Sequence, residues 1–211
     1  MKNKHKQLGR ERFQRKIDTD LSKRIYILIV AGGEKTEVNY LRDMKIDLEL
    51  SSTIVKIESS SRDPLSILKK AIELRNKKYD FRIPYDHTWI VFDKDDFTSF
   101  DQTINRANSE NIRCAWSNEC FELWYLLHYD YVNTTTPRGD FAEKITENIG
   151  KPYRKNSTEM YELLKPHYRN AVKNAVRLRL DLKNHDKTPS QQNPCTTVDK
   201  LTEFLYCLSR K

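Results

Sequence analysis

Glu34, Asp93 and Asp95 lie far apart in the sequence but share one local context, the end of an apolar run. Glu34 closes Ile25-Tyr-Ile-Leu-Ile-Val-Ala31-Gly-Gly, and the two aspartates close His87-Thr-Trp-Ile-Val-Phe92. If the two runs are neighbouring parallel strands, their carboxylates converge at one sheet edge, where open α/β folds place their ligands. Carboxylates brought so close repel one another and are best stabilised by a hard divalent cation, Mg²⁺ or Mn²⁺, with oxygen ligands. Residues at i and i+2 of extended chain face the same way, so Asp93 and Asp95 can share an ion while Lys94 points elsewhere. The D-x-D spacing alone is a weak signal, because acids also end strands as helix caps or solvated turns, and Asp95 and Asp96 taken singly read either way. Two of the chain's five glycines, Gly32 and Gly33, stand side by side before Glu34. That pairing suits a backbone that bends sharply or lets a ligand approach closely.

The elements that must position these residues are legible as an alternation. Ile25–Ala31 is continuously apolar and β-branched, as in a strand covered on both faces. Val38, Leu41, Met44 and Leu48 recur at helical spacing, predicting a helix from about Thr36, its plausible cap, to Leu50. Thr53–Ile57 reads as a second strand. Asp63 then caps a second helix with Pro64 at its first position. His87–Phe92 is a third strand, Ser99–Glu110 a third helix and Ile112–Trp116 a fourth strand. This order predicts an α/β fold with a mainly parallel four-stranded sheet and helices on its faces. From Phe141 the chain is helical in character, with segments near Phe141–Ile149, Thr158–Leu164, Arg169–Leu182 and Thr196–Ser209, and Lys183–Pro194 reads as a loop. The division expected is a basic tail over 1–24, an α/β core over 25–130 and a helical region over 131–211 packing on it.

Further polar residues fall near strand ends. Asn118 either orients substrate or metal-bound water at the end of the fourth strand, or caps the helix that starts there; the second reading is slightly favoured. Glu122 lies among Phe121, Trp124 and Leu126, and a carboxylate in such company is costly unless it meets a metal, a cation or donors. Arg169, Lys173 and Arg177 recur every four residues and line one helix face, which suits a nucleic-acid backbone or simply a solvated surface. Lys151, Tyr153, Arg154 and Lys155 form a basic-aromatic cluster able to neutralise and stack on a strand. His128, His167 and His185 share no ligand spacing, so zinc is not expected.

The chain has 211 residues and a formal charge of +8, enough for one substantial core. The charge is not evenly spread. Residues 2–24 carry nine Lys/Arg and three Asp/Glu, which leaves the remainder at a net +2. The tail therefore reads either as a disordered arm or as one that touches nucleic-acid phosphates. Without an apolar run of about 18 residues or a signal-peptide pattern, the sequence predicts a soluble, cytoplasmic protein that does not enter a membrane. Cys114, Cys120, Cys195 and Cys207 form no CxxC pair and are expected to be reduced. The sequence leaves the oligomeric state open.

Four segments taken together carry a resemblance. Gly33-Glu-Lys-Thr-Glu-x-Asn-Tyr40, Val91-Phe-Asp-Lys-Asp-Asp-Phe97, Ser117-Asn-x-Cys-Phe-Glu-Leu-Trp-Tyr-Leu-Leu-His128 and Asn193-Pro-x-Thr-Thr-Val198 resemble, in that order, the RloB (AbiLii-like) family over about residues 23–208. The resemblance implies a Toprim-like catalytic domain in which Glu34 is a general acid/base and Asp93 and Asp95 are metal ligands. It also implies a metal-dependent nuclease of a restriction-linked, anti-phage system, acting on RNA or DNA and controlled by an ABC- or SMC-like ATPase encoded nearby. Nucleases with this domain use further acids for a second ion, here Glu37, Asp96, Glu119 and Glu122, two ions serving to activate water and stabilise the leaving oxygen. Lys35 and Lys94 are suited to neutralising the scissile phosphate, although Lys35 also reads as a solvated first-turn residue and Glu37 as a capping one. One departure is Gly32, which stands where that family carries an acid. The Asn193–Thr197 motif is expected to open the last helix, with Thr196 or Thr197 as cap, and to approach the site.

Two other classes compete. A non-catalytic nucleic-acid-binding subunit on a degenerate Toprim scaffold would account for Gly32. A nucleotide-binding protein is suggested by Gly33-Glu-Lys-Thr36, but the G-x-x-x-x-G-K-[ST] spacing of a phosphate-binding loop is absent.

Overall fold

The computed structural model describes residues 24–33, 35–50, 53–79, 82–183 and 186–209. Glu34 and the basic tail before Arg24 lie outside the described residues. Strand β1 (Ile25–Gly32) is followed by α1 (Thr36–Asp47), β2 (Thr53–Ser60), α2 (Pro64–Lys77), β3 (His87–Asp93), α3 (Phe100–Ser109) and β4 (Arg113–Asn118). The short helix α4 (Glu122–Leu126) leads to α5 (Phe141–Ile149), α6 (Met160–Leu164), α7 (Tyr168–Lys183), a two-residue strand β5 (Cys195–Thr196) and α8 (Val198–Ser209).

The sheet order is β2-β1-β3-β4-β5, with β1 at the centre of the parallel part. The four expected strands are all present, but the sheet has five. Cys195 and Thr196, expected to open the last helix, instead pair antiparallel with Asn118 and Ser117. The added strand is fastened by side chains more than by its length. Trp116 N–H donates to Thr197 Oγ1 at 2.9 Å, and the Ser117 and Thr196 hydroxyls lie 3.0 Å apart. Thr196 keeps part of its expected capping role, since Val198 N–H donates to its Oγ1 at 3.2 Å.

Alternation along the central strands assigns the two layers. Leu28, Val30, Ile90, Phe92 and Trp116 face α2 and α3, whereas Ile27, Ile29, Trp89, Val91 and Ala115 face α1, α4 and the C-terminal helices. Burial of both faces explains why these strands read as unbroken apolar runs. The C-terminal helices share the second layer's core directly: Phe141, Tyr161, Ala175 and Leu201 belong to the same cluster as Ile27 and Val91.

A local signal accounts for the start of α2, whereas among the described residues no side chain caps α1, α3, α4, α5 or α6. Asp63 caps α2, accepting from Ser66 N–H at 2.9 Å, with Pro64 behind it in the first turn. Thr36 does not cap α1. It is the first helical residue, and its hydroxyl donates instead to Lys155 O at 3.2 Å. Asn118 caps no helix either, because β4 runs on through Ser117 and Asn118, and Asn118 Nδ2 donates to Ser190 O at 2.9 Å and Pro189 O at 3.3 Å. Among the described residues no helix is long and apolar enough to cross a membrane.

Candidate functional site

The carboxyl ends of β1 and β3 open into a cleft of about 490 Å³. Gly32, Gly33, Lys35, Thr36 and Glu37 line it from the β1–α1 turn, and Ser60, Ser61 and Arg62 from the end of β2. Asp93 and Asp95 form its floor on the β3 side, and Glu122 enters from α4. The wall opposite is supplied by the C-terminal region through Arg138, Lys155 and Asn156.

The turn that makes this possible depends on its glycines. Gly33 has φ +79°, a conformation open to glycine and strained for other residues, and its N–H donates to Ser60 O at 3.2 Å. Gly33→Ala should therefore cost about 1–2 kcal/mol, measurable as a lower midpoint in urea. Gly32 has a different constraint. A Cβ there would stand 2.8 Å from Ile67 Cδ1, so a larger residue at this position requires the isoleucine methyl to shift.

The acids form an electrostatically coupled group. Burial raises the Asp93 carboxyl well above the usual carboxylate range, and the charges of Glu37, Glu122 and Asp95 push it further. Its Oδ1 is fully buried and has no hydrogen-bond partner among the described residues. Glu37, 8 % exposed, is raised to about 7, first by burial and then by Glu122 and Asp95, with its own backbone and Arg62 opposing. Each remaining acid has a cation at hand. Arg138 Nη1 pairs with Asp95, and Lys155 Nζ lies 3.3 Å from Glu122 Oε1, which also accepts from Tyr153 Oη at 3.3 Å. The carboxylate whose setting among aromatics looked costly thus does meet a cation and a donor.

These acids offer only oxygen donors, the set a hard divalent cation takes, and Asp93 Oδ1 is a buried carboxyl oxygen without a hydrogen-bond partner among the described residues. In that chemical sense the site fits Mg²⁺ or Mn²⁺. Among the described residues no three His, Cys, Asp or Glu side chains stand close enough together to hold an ion. Glu34, expected as a further ligand, falls between Gly33 and Lys35, both of which line the cleft.

Other expected site residues lie apart. Asp95 does not reach the cleft by strand alternation with Asp93, since β3 ends at Asp93 and Asp95 has φ +40°. Lys94 does not line the cleft and donates through Nζ to Asp95 O at 3.1 Å. Asp96 is exposed and Glu119 half-buried; neither lines the cleft, nor does the buried Asn118. In the basic-aromatic cluster, Lys151 pairs with Glu159, Arg154 is exposed, and Lys155 alone of the three cations reaches the cleft. None of Arg169, Lys173 and Arg177, all on α7, lines the cleft. Arg177 sits 3.8 Å over the Tyr131 ring, and Arg169 lines a separate hollow with Lys165 and Tyr206.

Arg62, Arg138 and Asn156 were not among the residues singled out from the sequence. Arg138 sits in a Pro-Arg-Gly connection with no periodicity, so only the fold brings it to Asp95.

The model of one protein family, described as RloB-like protein, matches residues 27–205, most of the chain. No curated protein and no solved structure matches the sequence.

Proposed function

The chain belongs to the RloB-like protein family, and on that premise we propose that it is a metal-dependent nuclease of an anti-phage system with a Toprim-like core. The observation that supports this reading best is the buried Asp93 Oδ1, which has no hydrogen-bond partner among the described residues, within a carboxylate cluster in a cleft whose rim carries Lys35, Arg62, Arg138 and Lys155. An acidic floor under a cationic rim suits a phosphodiester: the floor holds the cation and the rim holds the phosphates. Asp93 and Asp95, with Glu34, would hold Mg²⁺ or Mn²⁺. Such an ion supplies charge stabilisation at the phosphoryl oxygens. Glu37, raised to about 7, is suited to accept a proton from the attacking water near neutral pH. Lys155, Arg62 and Lys35 would neutralise the strand on either side. An ABC- or SMC-like ATPase partner would control access to this activity.

A second reading, a nucleic-acid-binding subunit without catalysis, is suggested by Gly32, which stands where the resemblance leads one to expect an acid. One panel separates the two: total tRNA, single-stranded RNA, and linear and supercoiled DNA, incubated with Mg²⁺, Mn²⁺ or EDTA. Cutting that EDTA abolishes is the expected result. Strands bound but left whole in every metal, with and without the neighbouring ATPase, would favour the second reading.

A further inference from the structure

Arg138 and Lys155 both reach the cleft's acids from the C-terminal region, and of the two only Arg138 carries a guanidinium. It lies beside Gly139 in a single 3-10 turn, Arg138–Asp140, and its recorded contact is through one nitrogen, Nη1, to Asp95. The Asp95 side chain is 11 % exposed and that of Arg138 38 %, so of this pair lining the cleft the guanidinium is the more solvent-facing member. Among the described residues the rest of its fork has no other hydrogen-bond partner. A guanidinium carries five donors in a planar array matched to the paired oxygens of a carboxylate or a phosphate.

A cation bound at Asp95 and the Arg138 guanidinium compete for one carboxylate. We propose that Arg138 exchanges partners: it neutralises Asp95 in the metal-free protein and, once a divalent cation takes Asp95, turns its fork to a non-bridging phosphate oxygen pair of the nucleic-acid strand. The proposal rests on the nuclease reading given above and deepens it. It makes Arg138 a substrate-binding residue and ties strand affinity to metal loading, so that an unloaded site holds its own phosphate clamp closed. Lys155 plays the same part toward Glu122 less completely, since an ammonium lacks the fork and this side chain is 58 % exposed.

The test compares wild type, Arg138→Gln and Arg138→Lys, each first shown by thermal melting to fold. Mn²⁺ affinity of the protein without nucleic acid is read by electron paramagnetic resonance. Binding of fluorescein-labelled 12-nucleotide RNA and DNA strands is read by anisotropy, with and without Ca²⁺. Removing the competing cation should tighten Mn²⁺ binding about three- to fivefold in Arg138→Gln. In wild type Ca²⁺ should tighten strand binding about tenfold, and Arg138→Gln should lose that gain, because metal and phosphate are coupled through this side chain. Arg138→Lys should keep near-wild-type Mn²⁺ affinity and recover less than half of the coupling. Unchanged Mn²⁺ affinity together with unchanged coupling in Arg138→Gln would overturn the exchange and leave Arg138 a tether between the C-terminal region and the core. Failure of the wild type itself to bind Mn²⁺ would instead overturn the metal reading, before any variant is considered.

Discussion

Asp93→Asn is expected to abolish metal-dependent cleavage while making the metal-free protein more stable. The two effects have one cause. Asp93 Oδ1 is buried with no hydrogen-bond partner among the described residues, and the charges of Glu37, Glu122 and Asp95 act on it in addition to burial. A folded protein holds such an anion only at a cost, which a bound cation offsets. An amide keeps the shape but removes the charge, so the cation loses a ligand and the rate should fall by roughly 10²–10³-fold or more. The repulsion disappears as well, so the melting temperature without metal should rise by a few degrees. The pH dependence follows the same logic. Carboxyls whose folded pKa is raised bind more protons in the folded than in the unfolded state, so stability falls as pH rises from the ordinary carboxylate range to the folded value. For Glu37 that window runs from about 4.5 to about 7, and its full contribution is on the order of 3 kcal/mol. Metal-free wild type should therefore lose stability between about pH 4 and 7. Asp93→Asn should lose less over that range, and Mg²⁺ should restore the wild type chiefly at the alkaline end. An Asp93→Asn protein that cuts at the wild-type rate, or that melts well below wild type, would show that Asp93 serves the fold rather than the chemistry.

Much of the architecture that bears on this site could be read from the sequence because both faces of the sheet are covered. Burial on two sides removes polar alternation from β1 and β3 and leaves runs whose ends are marked by glycine or acid. Of the cleft acids, Asp93 could be found because it closes an apolar strand and Glu122 because a charge among aromatics is expensive, whereas Glu37 is indicated only by the family resemblance. The misreadings share a different origin, in partners distant along the chain. Asn118 looked like a cap because it follows an apolar run. It is a strand residue because it pairs with Cys195, and its side-chain amide is satisfied by Pro189 and Ser190, both about seventy residues away. β5 has only two residues and no period that a sequence pattern can display. Arg138 lies in a connection whose local residues say nothing of Asp95. Periodicity was a sound guide to the α7 stripe as a helix face, but it cannot say which way that face looks. The stripe does not line the cleft, and the cations that do come from connections and a single 3-10 turn.

The second large effect is expected at Asp199, outside the cleft. Its side chain is 1 % exposed, and both carboxylate oxygens accept from the Arg179 fork at 2.6 Å, while Arg179 Nη1 also donates to Thr196 O at 2.7 Å. One guanidinium thus ties α7, β5 and α8 together. Asp199→Ala removes the anion and leaves a largely buried cation facing a void. Losing one partner of a buried pair costs about 3–5 kcal/mol, and the partial exposure of Arg179 places the expected cost at the lower end, about 3 kcal/mol. For a chain of this size that is roughly 6–12 °C in melting temperature. Replacing both partners by apolar residues, Arg179→Met with Asp199→Leu, should recover most of the loss, because no unpaired charge then remains. The damage should travel in a definite direction. β5 closes the edge of β4, where Ser117 pairs in register with Asp93 and its carbonyl accepts from Lys94 N–H at 2.8 Å. In Asp199→Ala, amide hydrogens of β4 and α8 should exchange faster, while those of α2, on the opposite face of the sheet, should change only as far as global stability has fallen. Uniform loss of protection across both faces would mean that the pair supports the whole domain equally. Loss confined to β4, β5 and α8 would identify a cooperative C-terminal unit that holds one edge of the cleft in place.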